Sequence, residues 1–161
     1  MERRIEALQK LLLLDTRLLE NCLDGVDDDL ARKRLTSNTN HIGFIVCHVV
    51  DSRYSLARML GSDAECPFQE MLEDVRSVED MREVPALADL RHAWAAVSAI
   101  LSERFVEITE SELREPCAIE FPVDDRTLLG GVAFLLQHEA FHLGQLAFLR
   151  KALGLGPMRY D

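Results

Sequence analysis

His138-Glu139-Ala140-Phe141-His142 sets two histidines four residues apart. On a helix such residues differ by about 40° around the axis, so both imidazoles leave one face and can share a divalent cation. The pattern is H-E-x-x-H, in which two histidines bind zinc and the glutamate, here Glu139, acts as general base. A zinc protease needs a third ligand, and the usual places lack it. The extended motif asks for Gly and His where this chain has Gln145 and Phe148, and no Glu follows Glu139. An all-helical chain also offers no strand edge for a peptide, which disfavours a protease.

The third ligand is therefore expected from another helix, with His41, His48 and His92 as candidates. His48 interrupts a run of Ile, Val and Phe, and a polar ring on a buried helix needs a partner. His41 lies seven residues earlier, on nearly the same face but about 10 Å away along the axis, which suits a pocket mouth better than shared ligation. His92 sits beside Arg91 and is expected at the surface. Taken alone, His48 reads as a core histidine bonded to a carbonyl, and H-E-x-x-H also arises without a metal. The pair and an inward His48 together favour a shared ion. Gln145, seven after His138, is placed to orient a ligand or the substrate, and Asp51, three after His48, to accept an imidazole N–H. Imidazole donors suit zinc, nickel, copper or iron. Zinc is the first expectation, with nickel or iron behind it.

Helices must carry these residues, and the apolar spacing supplies four. Ile5, Leu8, Leu11, Leu12, Leu18, Leu19 and Cys22 predict a helix from about Glu2 to Leu23, ended by Asp24-Gly25. A polar stretch through Asn38 reads as a connection. Thr36-Ser37-Asn38 offers caps for a second helix from about Thr39 to Leu60, with Gly61 as its stop. A long link to Pro85 follows, with one short helix near Phe68 to Asp74 and a start signal at Ser77-x-x-Asp80. Leu87, Leu90, Trp94, Val97, Leu101, Phe105 and Ile108 step by three and four and define the third helix. After a second link, Asp124 or Asp125 caps a fourth helix from about Arg126 to Leu153. It is apolar nearly all round and is expected to be the most buried. Four helices with long links after the second and third suggest an all-α four-helix bundle with a crossover between helices 2 and 3.

The composition narrows the function classes. In 161 residues, 18 Lys and Arg oppose 28 Asp and Glu, a net charge of −10 that disfavours a nucleic-acid or anionic-membrane partner. An apolar content of 48% excludes disorder, and this length fits one domain over residues 1–161. Eight glycines and five prolines are few for a turn-rich chain, and 6% aromatics disfavour a β-sandwich. Cys22, Cys47, Cys66 and Cys117 form no C-x-x-C pair, so they read as packing residues. No stretch approaches the roughly 20 apolar residues of a membrane span, and no secretory signal opens the chain, so a cytoplasmic location is expected.

Two strings carry a family resemblance. His138-Glu139-Ala140-Phe141-His142-Leu143-Gly144-Gln145-Leu146, followed by Leu149-Arg150, resembles the H-x-x-x-H-x-G-Q motif of the DinB/YfiT-like superfamily. Asn40-His41-Ile42-Gly43-Phe44 through His48 resembles that family's second-helix motif, in which the histidine ends a mostly apolar run. The resemblance covers the whole four-helix layout. It implies a bundle in up-down-down-up order, a divalent metal held by residues matching His48, His138 and His142, and often a homodimer. It also implies one of several activities on small molecules. Related branches perform thiol-dependent S-transfer or isomerisation with a low-molecular-weight thiol such as bacillithiol or mycothiol, and others are described as metal-dependent hydrolases. The motif does not require Glu139. The rival expectation is a non-catalytic dimeric bundle with a structural metal or a small-molecule binding role.

Overall fold

The computed structural model describes residues 3–160, so Glu2, the expected start of the first helix, lies outside the described residues. Among these residues the chain is helical, with one isolated bridge between Pro116 and Thr127 and no strand. Four long helices, α1 (Arg3–Leu23), α3 (Ile42–Met59), α5 (Leu87–Glu107) and α7 (Leu128–Ala152), alternate with three short ones, α2 (Asp28–Arg32), α4 (Gln69–Leu72) and α6 (Glu110–Leu113). α1 ends at Asp24-Gly25, where Gly25 takes a φ of 74° that L side chains rarely adopt.

The long helices pack in a cycle: α1 touches α5 and α7, and α3 touches the same two. Their directions follow from individual contacts. Trp94 Nε1 donates to Thr16 O (3.2 Å) and Arg91 Nη2 to Leu23 O (2.7 Å), so α5 runs against α1. Arg53 Nη1 donates to Ser98 Oγ (2.6 Å) and Arg104 Nε to Leu60 O (2.7 Å), so α5 runs along α3. Arg150 Nε donates to Cys22 O (3.1 Å), joining the last turns of α7 and α1. At the first turn of α7, a Cβ on Gly131 would stand 2.9 Å from Met59 Sδ at the end of α3, so α7 runs against α3 and its glycine lets the two approach.

Several expectations change here. Asp27 accepts from Leu30 N (2.8 Å) and nucleates α2 inside the stretch read as a connection, with Ala31 buried. Thr36, Ser37 and Asn38 do not cap α3. Thr36 and Thr39 bond each other in a separate turn, and Arg34 Nε holds Thr39 O at 2.6 Å. Ser77 and Asp80 close a turn rather than starting a helix. Thr109 and Glu112 form a reciprocal capping box that starts α6 in the second link. Thr127 precedes α7, where Asp124 or Asp125 was the expected cap, and Asp125 instead binds Thr127 N (3.0 Å). The most buried long helix is α3, which is enclosed by α2, α5 and α7. α7 packs only one side against its neighbours and leaves Phe141 58% and Phe148 65% exposed.

Candidate metal centre

His48 leaves the middle of α3 towards α7, where His138 and His142 come up one turn apart on a single face. The three Nε2 atoms converge. His138 Nε2 lies 3.1 Å from His48 Nε2 and 3.0 Å from His142 Nε2, and one donor nitrogen from each ring falls within 4.8 Å of the others. Among the described residues no Cys, Asp or Glu joins this group. Each ring abuts a phenylalanine: Phe44 stacks on His48, Phe134 on His138, and Phe141 meets His142 edge-on.

Protonation favours ligation. Burial lowers the pKa of all three imidazoles, taking His48 to about 4 with help from its two neighbours, so the rings are neutral at ordinary pH. Gln145 Oε1 lies 2.7 Å from His142 Nδ1. A carbonyl oxygen only accepts, so Nδ1 carries the hydrogen and Nε2 presents its lone pair. His138 Nε2 faces two other Nε2 atoms, and one hydrogen could serve only one of those contacts. Its Nδ1 is buried with no partner. A shared cation would resolve the crowding: two donors about 2.1 Å from one ion stand roughly 3.0–3.4 Å apart. The donor set therefore fits a divalent transition metal.

A cavity of about 430 Å³ opens beside His48 and His142, lined by Phe44, Asp51, Leu72, Val75, Arg76 and Met81. Two wider clefts of about 850 Å³ flank the link between α3 and α5 and hold no imidazole. The link thus forms one wall of the cavity, and Arg76 is a lining residue that sequence reasoning left unmarked.

The other expected residues divide. Gln145 stands against an imidazole, its nearest bond being to His142. Asp51 lines the cavity, but its thiol partner is Cys66, and burial raises its pKa. His41 is not at the pocket mouth. It is the N-cap of α3, its Nδ1 accepting from Phe44 N (2.9 Å), because the helix begins at Ile42 and leaves that N–H otherwise unpaired. His92 is exposed, as expected. Cys47 is fully buried in the core.

Glu139 is the main correction. One residue beyond His138 turns its side chain about 100° around the helix, away from the imidazoles and into the core. It is 3% exposed, and both its carboxylate oxygens bind Arg53, with Oε2 at 2.8 Å from Nε. Burial pushes its pKa up and Arg53 opposes that. Arg53 also donates to Thr16 Oγ1 (2.7 Å) and Ser98 Oγ (2.6 Å), and its guanidinium stacks 3.5 Å from the Trp94 ring centroid. A carboxylate held this way has no path to a reacting group, so the general-base role for Glu139 is dropped.

Residues 11–146 match the family model described as DinB superfamily. No protein of curated function matches the chain.

Proposed function

The chain belongs to the DinB superfamily, and on that premise we propose that it is a metal-dependent enzyme whose divalent ion is held by His48, His138 and His142. The observation that carries this reading is the meeting of three neutral Nε2 atoms from α3 and α7 with no fourth protein donor among the described residues. Three protein ligands are the pattern of catalytic sites, whereas structural zinc sites are usually closed by a fourth. When bound, a divalent ion supplies a Lewis acid that lowers the pKa of a thiol or water beside it. The reading extends to a single four-helix-bundle domain in up-down-down-up order, supported by the contact directions of α1, α3, α5 and α7. A homodimer is supported by the exposed Phe141 and Phe148.

The protein's own residues divide the remaining work. Burial keeps the imidazoles neutral, and Gln145 fixes the tautomer of His142. Phe44, Leu72, Val75 and Met81 give the cavity its apolar surface. Asp51, with its raised pKa, is the carboxyl there that can take a proton from an incoming S–H or O–H. Zinc suits the donors, with nickel or iron as alternatives. The substrate is a small molecule with an electrophilic carbon, attacked by a low-molecular-weight thiol or by water.

Metal analysis after reconstitution tests the premise: one ion per chain is expected, and a sub-stoichiometric trace rejects the site. A haloarene assayed with several small thiols then separates the chemistries. Turnover only with thiol supports transfer, and turnover without any thiol supports hydrolysis.

A further inference from the structure

We infer that Arg76 makes the cavity beside the imidazoles a site for anionic small molecules, holding a ligand carboxylate at the end away from the metal. This rests on the metal reading above and names the substrate class of that same site.

Three observations carry it. Arg76 lines the cavity with His48 and His142, and it is the one Lys or Arg among the lining residues. Its guanidinium is held from behind: Nη1 donates to the Glu73 carbonyl (2.9 Å) and weakly to the Val75 carbonyl (3.4 Å), which leaves Nε and Nη2 for a ligand. Among the described residues it joins no ion pair, although the surrounding link is strongly acidic. Two acids of the same link already have hydrogen-bond partners. Glu79 pairs with Arg34 (2.7 Å), and Asp80 Oδ2 takes the backbone N–H of Arg76 (3.0 Å), the N–H of Ser77 (2.8 Å) and the Ser77 hydroxyl (2.8 Å). In a chain with 28 acidic residues and 18 basic ones, an arginine whose charge reaches Asp80 but which forms no ion pair, at the edge of this cavity, is placed for a carboxylate that arrives from outside.

The rest of the wall gives the ligand its shape. Phe44, Leu72, Val75 and Met81 suit an apolar body, and about 430 Å³ is room for a small molecule. Asp51 is the one acid in the lining, and its carboxyl already accepts from the Cys66 thiol. The ligand therefore spans the cavity with a metal-seeking group at the imidazoles and its negative charge at Arg76.

The test uses the whole chain loaded with cobalt(II) and titrated with mercaptohexanoate and, in parallel, mercaptohexanol. The cobalt–thiolate absorption band reports binding of either one. The acid is expected to bind about fivefold more tightly than the alcohol, the scale of one partly exposed charge pair. Arg76→Gln is expected to abolish that preference while leaving the affinity for mercaptohexanol unchanged. Equal affinities in the parent protein overturn the inference and leave the metal reading intact, as does an Arg76→Gln variant that weakens both ligands alike. A chain that takes up no cobalt overturns both.

Discussion

His48 and Arg53 share α3, and His138 and Glu139 are neighbours on α7, yet the two pairs build opposite kinds of buried polar site. Around Arg53, donors and acceptors match. Its guanidinium meets Glu139, Thr16, Ser98 and the carbonyl of Leu12, with Trp94 stacked on its face. Around His138, acceptors face acceptors, and one ring nitrogen has no partner. The first cluster is complete without anything from outside. The second lacks a partner from within the chain, and a cation would complete it. A buried polar group thus belongs to the fold when its partners lie within the chain, and to function when they do not.

The largest expected effect comes from breaking the complete cluster. Glu139→Ala strands a buried guanidinium and should cost about 3–5 kcal/mol in urea unfolding. His138→Ala in metal-free protein should cost less than about 1 kcal/mol, since it relieves a crowded donor set. Equal losses would erase the distinction between the sites.

Next comes ligand loss. His48→Ala should weaken zinc binding by at least about 100-fold in competition titrations, with metal-free stability little changed. Unchanged zinc affinity would remove His48 from the metal site.

The clusters should also answer pH with opposite signs. Asp15, beside Glu139 and Arg53, has its pKa raised to about 7 by burial and by the charge of Glu139. Its stabilising contribution is complete below the unfolded value of 3.8 and is lost as pH rises towards 7. Asp15→Asn should therefore nearly match the parent near pH 4 and exceed it by up to about 4 kcal/mol at pH 8. The lowered imidazoles behave the other way. Their contribution in metal-free protein is complete above 6.5 and is lost as pH falls, for His48 towards about 4. Unfolding free energies across this range, for the parent, Asp15→Asn and His48→Ala, should separate two slopes of opposite sign. A parent profile that neither variant alters would contradict both assignments.

The smallest effect concerns orientation. Gln145→Ala should weaken zinc binding about tenfold, and Gln145→Glu, which keeps an acceptor opposite His142 Nδ1, should restore most of it. If Glu fares no better than Ala, Gln145 does not act through that hydrogen bond.

The open site was the more legible of the two in sequence. Helical spacing alone puts His138 and His142 on one face, and His48 stands out against an apolar run. Gln145 followed from the same periodicity. The closed site escaped because its key partners, Arg53 and Glu139, are far apart in sequence, and a lone arginine on a helix reads as solvated. Its signal lay in its position: Arg53 follows Val49 and Val50 and precedes Ala57 on the apolar stripe of α3, a place where a cation needs a buried partner. Four helices and their links were readable from period and prolines. The short helices α2 and α6 rest on local caps, Asp27 and the Thr109-Glu112 box, that apolar spacing does not register. His41 was misread because a cap residue and a pocket residue can occupy the same face at a helix start.

Trp94 is the single tryptophan of the chain, 1% exposed, beneath the Arg53 guanidinium and donating to Thr16 O. Intrinsic fluorescence is therefore a reporter for one cluster. Its emission should be blue-shifted and shielded from acrylamide until the Arg53 network comes apart. Core unfolding and metal loading can thus be followed in one cuvette on separate optical channels, tryptophan emission for the fold and cobalt absorbance for the imidazoles.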